Sequence, residues 1–386
     1  MPASFLHGVE VIDVSDGVKQ IQTLKSSVIG IVGTAPDADA SVFPLNTPVL
    51  VAGSVSTAAK LDTVGDGEGT LPAALDGILD QGGAAVVVVR VDEGTDDAET
   101  ITNIIGGTDA QDNYMGISAL LGAESSLGQA PRILLATGFS HNQTVAAELE
   151  SAAAKLKAIA FVDADEASDD AAAITYATNF GDRVKVVYPH VKVSKGASVV
   201  TEPASARFAG VLARSDNDRG FWYSESNQQI YGIVGISKTI DFNNGDATSR
   251  ANLLNEGNVA TIINVNGYRT WGNRCADGTF LSTKRTSDLI KDSIQKNHLW
   301  AVDRGINKQY ISSVENNVNA YLRSLVTQGA IIGGNCWADP DLNTAQSLEN
   351  GQVYFNFDFT PTATAERLTF KGAIVNDYYE GIIDNG

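Results

Sequence analysis

The sequence predicts a layered α/β core with a mainly parallel sheet, flanked by extended N- and C-terminal β arms, and three observations predict it. Short unbroken apolar runs recur through the first half of the chain, helical patterns lie between them, and alternating apolar residues near both ends have no evident local partner. A chain of 386 residues, 43% hydrophobic and 19% charged, is long enough to bury a sizeable core. The changes of texture divide it into an arm at 1–24, α/β subdomains at 25–110 and 111–200, a C-terminal core domain at 201–365 and an arm at 366–386.

At the start, Val9, Val11 and Val14 form a β-prone stretch broken by Asp16-Gly17, with Val18 and Ile21 following. Asp-Gly there is a hairpin turn or a bend in an extended arm. The continuous runs Val28 to Val32 and Ala84 to Val91 suit strands buried on both faces. Between them, Thr70 is placed to cap a helix whose Leu71, Leu75, Ile78 and Leu79 share a side, with Pro72 in its first turn and Gly82 at its end. This β-α-β unit makes the two strands parallel neighbours. Alternation continues through strands at 132–136, 158–162 and 184–188 and helices carrying Val145, Leu149, Ala152, Ala153 and Leu156, then 171–180.

The last third reads differently. A helix is expected from about Thr286 to His298 with Leu289, Ile290 and Ile294 inward, and a longer one with Ile311, Val314, Val318, Tyr321 and Leu325 on one side, ended by Gly329. Val353, Phe355, Phe357 and Phe359 then alternate with polar residues, as do Leu368, Phe370 and Ile374. Val9, Val11, Val14, Val18, Ile21, Leu368, Phe370 and Ile374 are accordingly the candidate inter-subunit strands, since unpaired strands invite pairing with another chain.

No convincing catalytic or cofactor constellation emerges. Gly30-Ile31-Val32-Gly33 is only a GxxG, without the third glycine of a dinucleotide loop, and Pro36 with the polar 37–41 stretch gives a loop where a helix should open. Gly138-Phe139-Ser140-His141-Asn142 has the setting of a nucleophile elbow, but Asn142 replaces its second glycine and fits a helix cap better. Asp163, Asp165, Glu166, Asp169 and Asp170 favour the start of the next helix electrostatically. They are also the basis of the alternative reading, a metal- or nucleotide-dependent α/β enzyme. Cys275 and Cys336 belong to no zinc or CxxC pattern, the four histidines lack ligand spacing, and no cofactor or metal is expected.

A formal charge of -19, from 27 basic and 46 acidic residues, argues against nucleic acid as a partner. Neither a membrane span nor a secretory signal is evident, so synthesis and folding in the cytoplasm are expected. Charge is unevenly placed: Arg269 to Lys308 holds eight basic and four acidic residues, a local +4 against -23 elsewhere. Lys284, Arg285, Lys291 and Lys296 therefore stand as candidates for contact with an acidic partner.

Several stretches together resemble the tail sheath proteins of contractile phages, particularly the P2-like and R-type pyocin branch. They are FLHGVEVIDVSDGVKQI, SSVIGIVGTAPDADASVFPLNTPVLV, PASARFAGVLARSDNDRGFWYSESN, NLLNEGNVATIINVNGYRTWGNRC and HLWAVDRGINKQYI, with Trp271-Gly272-Asn273-Arg274 the most specific element. The resemblance implies a non-enzymatic sheath subunit of a virion or tailocin particle, assembled in the bacterial host cytoplasm. It implies a helical homopolymer of hexameric discs around an inner tail tube protein, in contact with baseplate and tail terminator proteins, which contracts to drive the tube through an envelope. It also implies terminal arms that add strands to neighbouring subunits, and makes the basic candidates tube-facing.

Overall fold

The computed structural model describes residues 20–379. Strands β1 (Ile29–Thr34), β2 (Pro48–Ala52), β3 (Ala85–Val91), β4 (Ile133–Leu135), β5 (Ile159–Asp163), β6 (Val184–Val187), β7 (Val259–Asn264) and β8 (Tyr268–Trp271) form one eight-stranded sheet. Its order is β8-β7-β6-β5-β4-β1-β3-β2. The six central strands are parallel, and β2 and β8 close the two edges antiparallel. The expected parallel pairing of β1 with β3 is present, from Ile29 opposite Val86 to Thr34 opposite Val91.

Alternation within the strands feeds two cores. Val32, Val87, Val89, Leu134, Ala160, Val162 and Val184 meet helices α2 (Asp97–Ile105), α3 (Gln143–Leu156), α4 (Asp170–Ala177) and α6 (Arg250–Glu256) on one side. Ile29, Ile31, Val86, Val88, Ile133, Leu135 and Phe161 meet α1 (Leu71–Leu79) and α5 (Ser205–Asp218) on the other. Burial on both faces explains why these strands read as unbroken apolar runs, each such side chain contributing about 1.5–3 kcal/mol when fully buried.

A third, smaller core lies under helices α7 (Leu281–Asn297) and α8 (Lys308–Gln328) and a two-stranded antiparallel sheet, β9 (Ile331–Ala338) with β10 (Phe355–Pro361). Leu289, Ile290, Val318, Tyr321, Leu322, Leu325 and Ile331 fill it. Gly329 ends α8 in the left-handed region at φ 83°, donating its N–H to the Leu325 and Val326 carbonyls.

Several expectations need correction. The eight-stranded sheet takes strands from 25–110, 111–200 and 201–365 alike, and the expected border at 200 falls inside the strand Ser198–Glu202 of a separate three-stranded sheet. Thr70 precedes α1 but makes no cap bond; its Oγ1 accepts from the Thr34 N–H at 3.2 Å, and the helix ends at Leu79, before Gly82. Helix α7 starts at Leu281 and not near Thr286, so Lys284 and Arg285 lie inside it, because buried Leu281 and Arg285 anchor its first two turns. No regular strand forms at Leu368, Phe370 or Ile374, which are 75%, 91% and 105% exposed. Ile21 is buried in the third core of its own chain. Val9, Val11, Val14, Val18 and the Asp16-Gly17 turn lie outside the described residues.

Candidate functional site

The strand order reverses between β1 and β4, and in α/β enzymes the crevice at the carboxyl ends of such strands holds the ligand. Here the protein's own chain fills it. The glycines of Gly30-Ile31-Val32-Gly33 lie within β1 and not in a loop after it. A Cβ on Gly33 would stand 2.4 Å from Thr70 Oγ1, and one on Gly138 2.8 Å from the Thr70 methyl. These glycines admit close packing of Thr70 over the strand ends, and no phosphate cradle forms.

The acidic cluster resolves into caps and one ion pair. Asp163 is buried, and its Oδ1 accepts from the Ala204 and Ser205 N–H groups at 2.9 and 2.8 Å, pinning the start of α5. Ser140 Oγ donates to Asp163 Oδ2 and accepts from its N–H at 2.9 Å, so the hydroxyl is committed, while His141 is exposed. Asp165 accepts from the Ala167 N–H, Asp169 caps α4 through the Ala172 N–H, and Asp170 pairs with Arg250. Asn142 caps α3 through the Thr144 N–H, as expected. Among the described residues, Asp37, Asp66 and Glu68 do bring carboxylate oxygens within 4.8 Å of one another, on loops at the surface.

The Trp271-Gly272-Asn273-Arg274 element works as a structural corner. Trp271 meets Phe242 edge to face at 4.8 Å. Gly272 turns at φ 120°, which glycine alone adopts without strain, and its carbonyl accepts from Lys185 Nζ at 2.6 Å. Lys185 also pairs with Glu225, both side chains wholly buried, which ties the loop after α5 to β6 and to this corner. Sequence reading missed this pair because Lys185 sits in an apolar strand run and Glu225 in a polar loop 40 residues on. Arg274 lies over the Phe280 ring at 4.2 Å and binds Glu366 through Nε and Nη2 at 2.9 and 2.6 Å.

Helix α7 is the joint between the α/β body and the third core, and it is charged on the side facing the body. Arg285 holds Asp216 with both Nη atoms, at 2.8 and 2.5 Å. Asp288 pairs with Arg183, and Asp292 with Arg132 and Lys157. Burial opposes ionisation of Asp292, but hydrogen bonds from Lys157 and Arg132 outweigh it and hold its carboxyl below the ordinary carboxylate range. At the ends, Lys284 pairs with Asp182 and Lys296 with Glu124. Of the tube-facing candidates, then, buried Arg285 is excluded by its position, Lys284 and Lys296 are partly engaged, and Lys291 is exposed with no ion pair among the described residues.

The third core also carries a groove of about 830 Å³, lined by Ile294, His298, Val314, Val353, Phe355 and Phe357 beside β10. The free edges of the β9–β10 sheet have no strand partner among the described residues. Beyond it, residues 367–375 make no hydrogen bond to the rest of the described chain, and Phe370 and Ile374 are fully out in solvent. The pattern at Phe355 to Phe359 was legible in the sequence, but its partner β9, IIGGNCWA, was not, because two glycines and an asparagine interrupt the apolar alternation.

Among the described residues, then, the crevice is filled, the body is braced internally, and the apolar stretch 367–375 has no hydrogen-bond partner. Comparison with known proteins supplies the family. Residues 26–91 match the tail sheath protein Gp18 domain III N-terminal region, 106–276 the phage tail sheath protein central domain and 276–374 the phage tail sheath C-terminal domain. A Pseudomonas aeruginosa prophage protein assigned as a major tail sheath protein is 40% identical, covering 99% of each chain. The tail sheath protein of Escherichia phage P2 is 35% identical over 99% of this chain and 98% of its own. The helical sheath of the anti-feeding prophage in its contracted state shares the fold at a TM-score of 0.71 and 17% identity, covering 96% of this chain and 99% of that one. The chain belongs to the phage tail sheath family, whose members are structural proteins of contractile tails and not enzymes.

Proposed function

We propose that this chain polymerises as stacked hexameric discs around an inner tail tube, in an extended metastable sheath that contracts and drives the tube through a target envelope. The observation that carries this reading is the exposed apolar row Leu368, Phe370 and Ile374, beside a two-stranded sheet whose edges are open in the single chain. A second copy of the chain supplies the missing partner, its terminal arms adding strands to that sheet. The arms are 1–24 and 366–386, with Ile21 belonging to the root and not to the exchanged strand. Assembly takes place in the bacterial host cytoplasm, ending at baseplate and terminator proteins. Contraction needs no chemical step: two arrangements of nearly rigid subunits differing slightly in contact energy suffice, because the difference repeats along the polymer.

Removing residues 367–386 tests the arm. The truncated chain is expected to unfold at the parent's denaturant midpoint and to stay in the supernatant when the parent sediments as polymer; sedimentation of both alike contradicts the reading. Within α7, Lys284, Lys291 and Lys296 are the tube-facing candidates that remain. Reversing Lys291 and Lys296 to Glu is expected to reduce tube-filled particles at low salt, where exposed charges act most strongly, while sparing tube-free polymers. Unchanged yield of tube-filled particles rules this face out.

A further inference from the structure

Residues 362–366 are rooted on the body and the described residues after them are not, and the change comes at Glu366. Thr362 donates its N–H to the Ala330 carbonyl at 3.2 Å and its hydroxyl to the Gly329 carbonyl at 2.7 Å. Thr364 Oγ1 meets Ser282 Oγ at 2.9 Å, and Glu366 is held by the two-pronged bond from Arg274. Among the described residues after Glu366 none hydrogen-bonds to the body, and Leu368 and Phe370 follow at once in solvent. Arg274 is itself aimed by two further contacts, its Nη1 donating to the Gly278 carbonyl at 2.5 Å and its guanidinium lying on Phe280. The planar fork thus meets the carboxylate pre-oriented, as bidentate recognition requires.

We infer that Arg274 and Glu366 form a latch that sets where the C-terminal segment leaves the subunit, and so presents Leu368, Phe370 and Ile374 to a second copy of the chain. This rests on the sheath reading for its purpose, though not for its geometry. The pair is 33% and 43% exposed by side chain, so it adds little to folding. Its effect is on association: a tethered segment held in the right direction raises the effective concentration of its apolar residues at the neighbour's groove, and the gain repeats at every subunit.

The test uses the full-length chain. Glu366→Gln, which leaves the other contacts of Arg274 in place, is expected to speed hydrogen exchange of the Thr362 amide, which the root holds on the Ala330 carbonyl, in the unassembled subunit and to raise the critical concentration for polymer about five-fold. Arg274→Glu is expected to do the same, and the double variant Arg274→Glu with Glu366→Arg to recover part of both effects. Parent-like exchange and critical concentration for Glu366→Gln overturn the latch. If the parent itself forms no polymer, the sheath reading fails, and the exchange measurement still decides whether the latch exists.

Discussion

Lys185 and Glu225 are the residues on which the corner before Arg274 depends. Both side chains are fully excluded from solvent, so removing one partner strands the other's charge in the core. Lys185→Met is expected to cost about 3–5 kcal/mol, read as a lowered midpoint in chemical denaturation. Replacing both, Lys185→Met with Glu225→Leu, is expected to recover much of that loss. If the single variant is as stable as the parent, the pair is not a buried brace. Asp163 shows the same logic on a smaller scale. The sequence placed it in a cluster favouring a helix start, yet the helix it caps is α5, more than 40 residues away, and only the fold could reveal that.

At the scale of elements, legibility followed locality. Strands β1, β3, β5 and β6 and helices α3 and α8 were readable because continuous apolar runs and 3.6-residue spacing are local signals of double-sided or one-sided burial. Edge strand β2, which opens on Pro48, and the interrupted β9 were not, because their pairing is decided by a neighbour remote in sequence. Helix α7 was found but misjudged: a basic stretch looked like an outward surface, whereas Arg285 turns inward to Asp216. Its joint with the body has a pH signature. The Asp292 carboxyl titrates below its ordinary value, so its contribution is fully present above about pH 4, the unfolded carboxylate value, and is lost as pH falls through the lowered folded one. Stability measured from pH 7 downward is expected to fall below about pH 4, and Asp292→Asn to lower the neutral-pH plateau while shrinking that acid dependence. An identical acid profile in the variant would remove Asp292 from the joint.

For the whole molecule, the division of labour is between a body that is finished and an end that is not. The eight-stranded sheet has both faces covered, its crevice packed with Thr70, and the carboxylates of its charged joint paired internally. Such a body suits a rigid repeating unit. Among the described residues the third core keeps an apolar groove and open strand edges, and 367–375 run on past Glu366 without a hydrogen bond to the body. In a polymer those deficits cancel between copies, which is why the function reads from what the monomer leaves unsatisfied more than from any cluster of reactive groups. Electron microscopy of the purified full-length chain, with and without its inner tube protein, tests this most directly. Tubular polymers with six subunits per disc are expected, filled and extended when the tube is present. A monodisperse small particle under every condition, at concentrations where related sheaths polymerise, would contradict it.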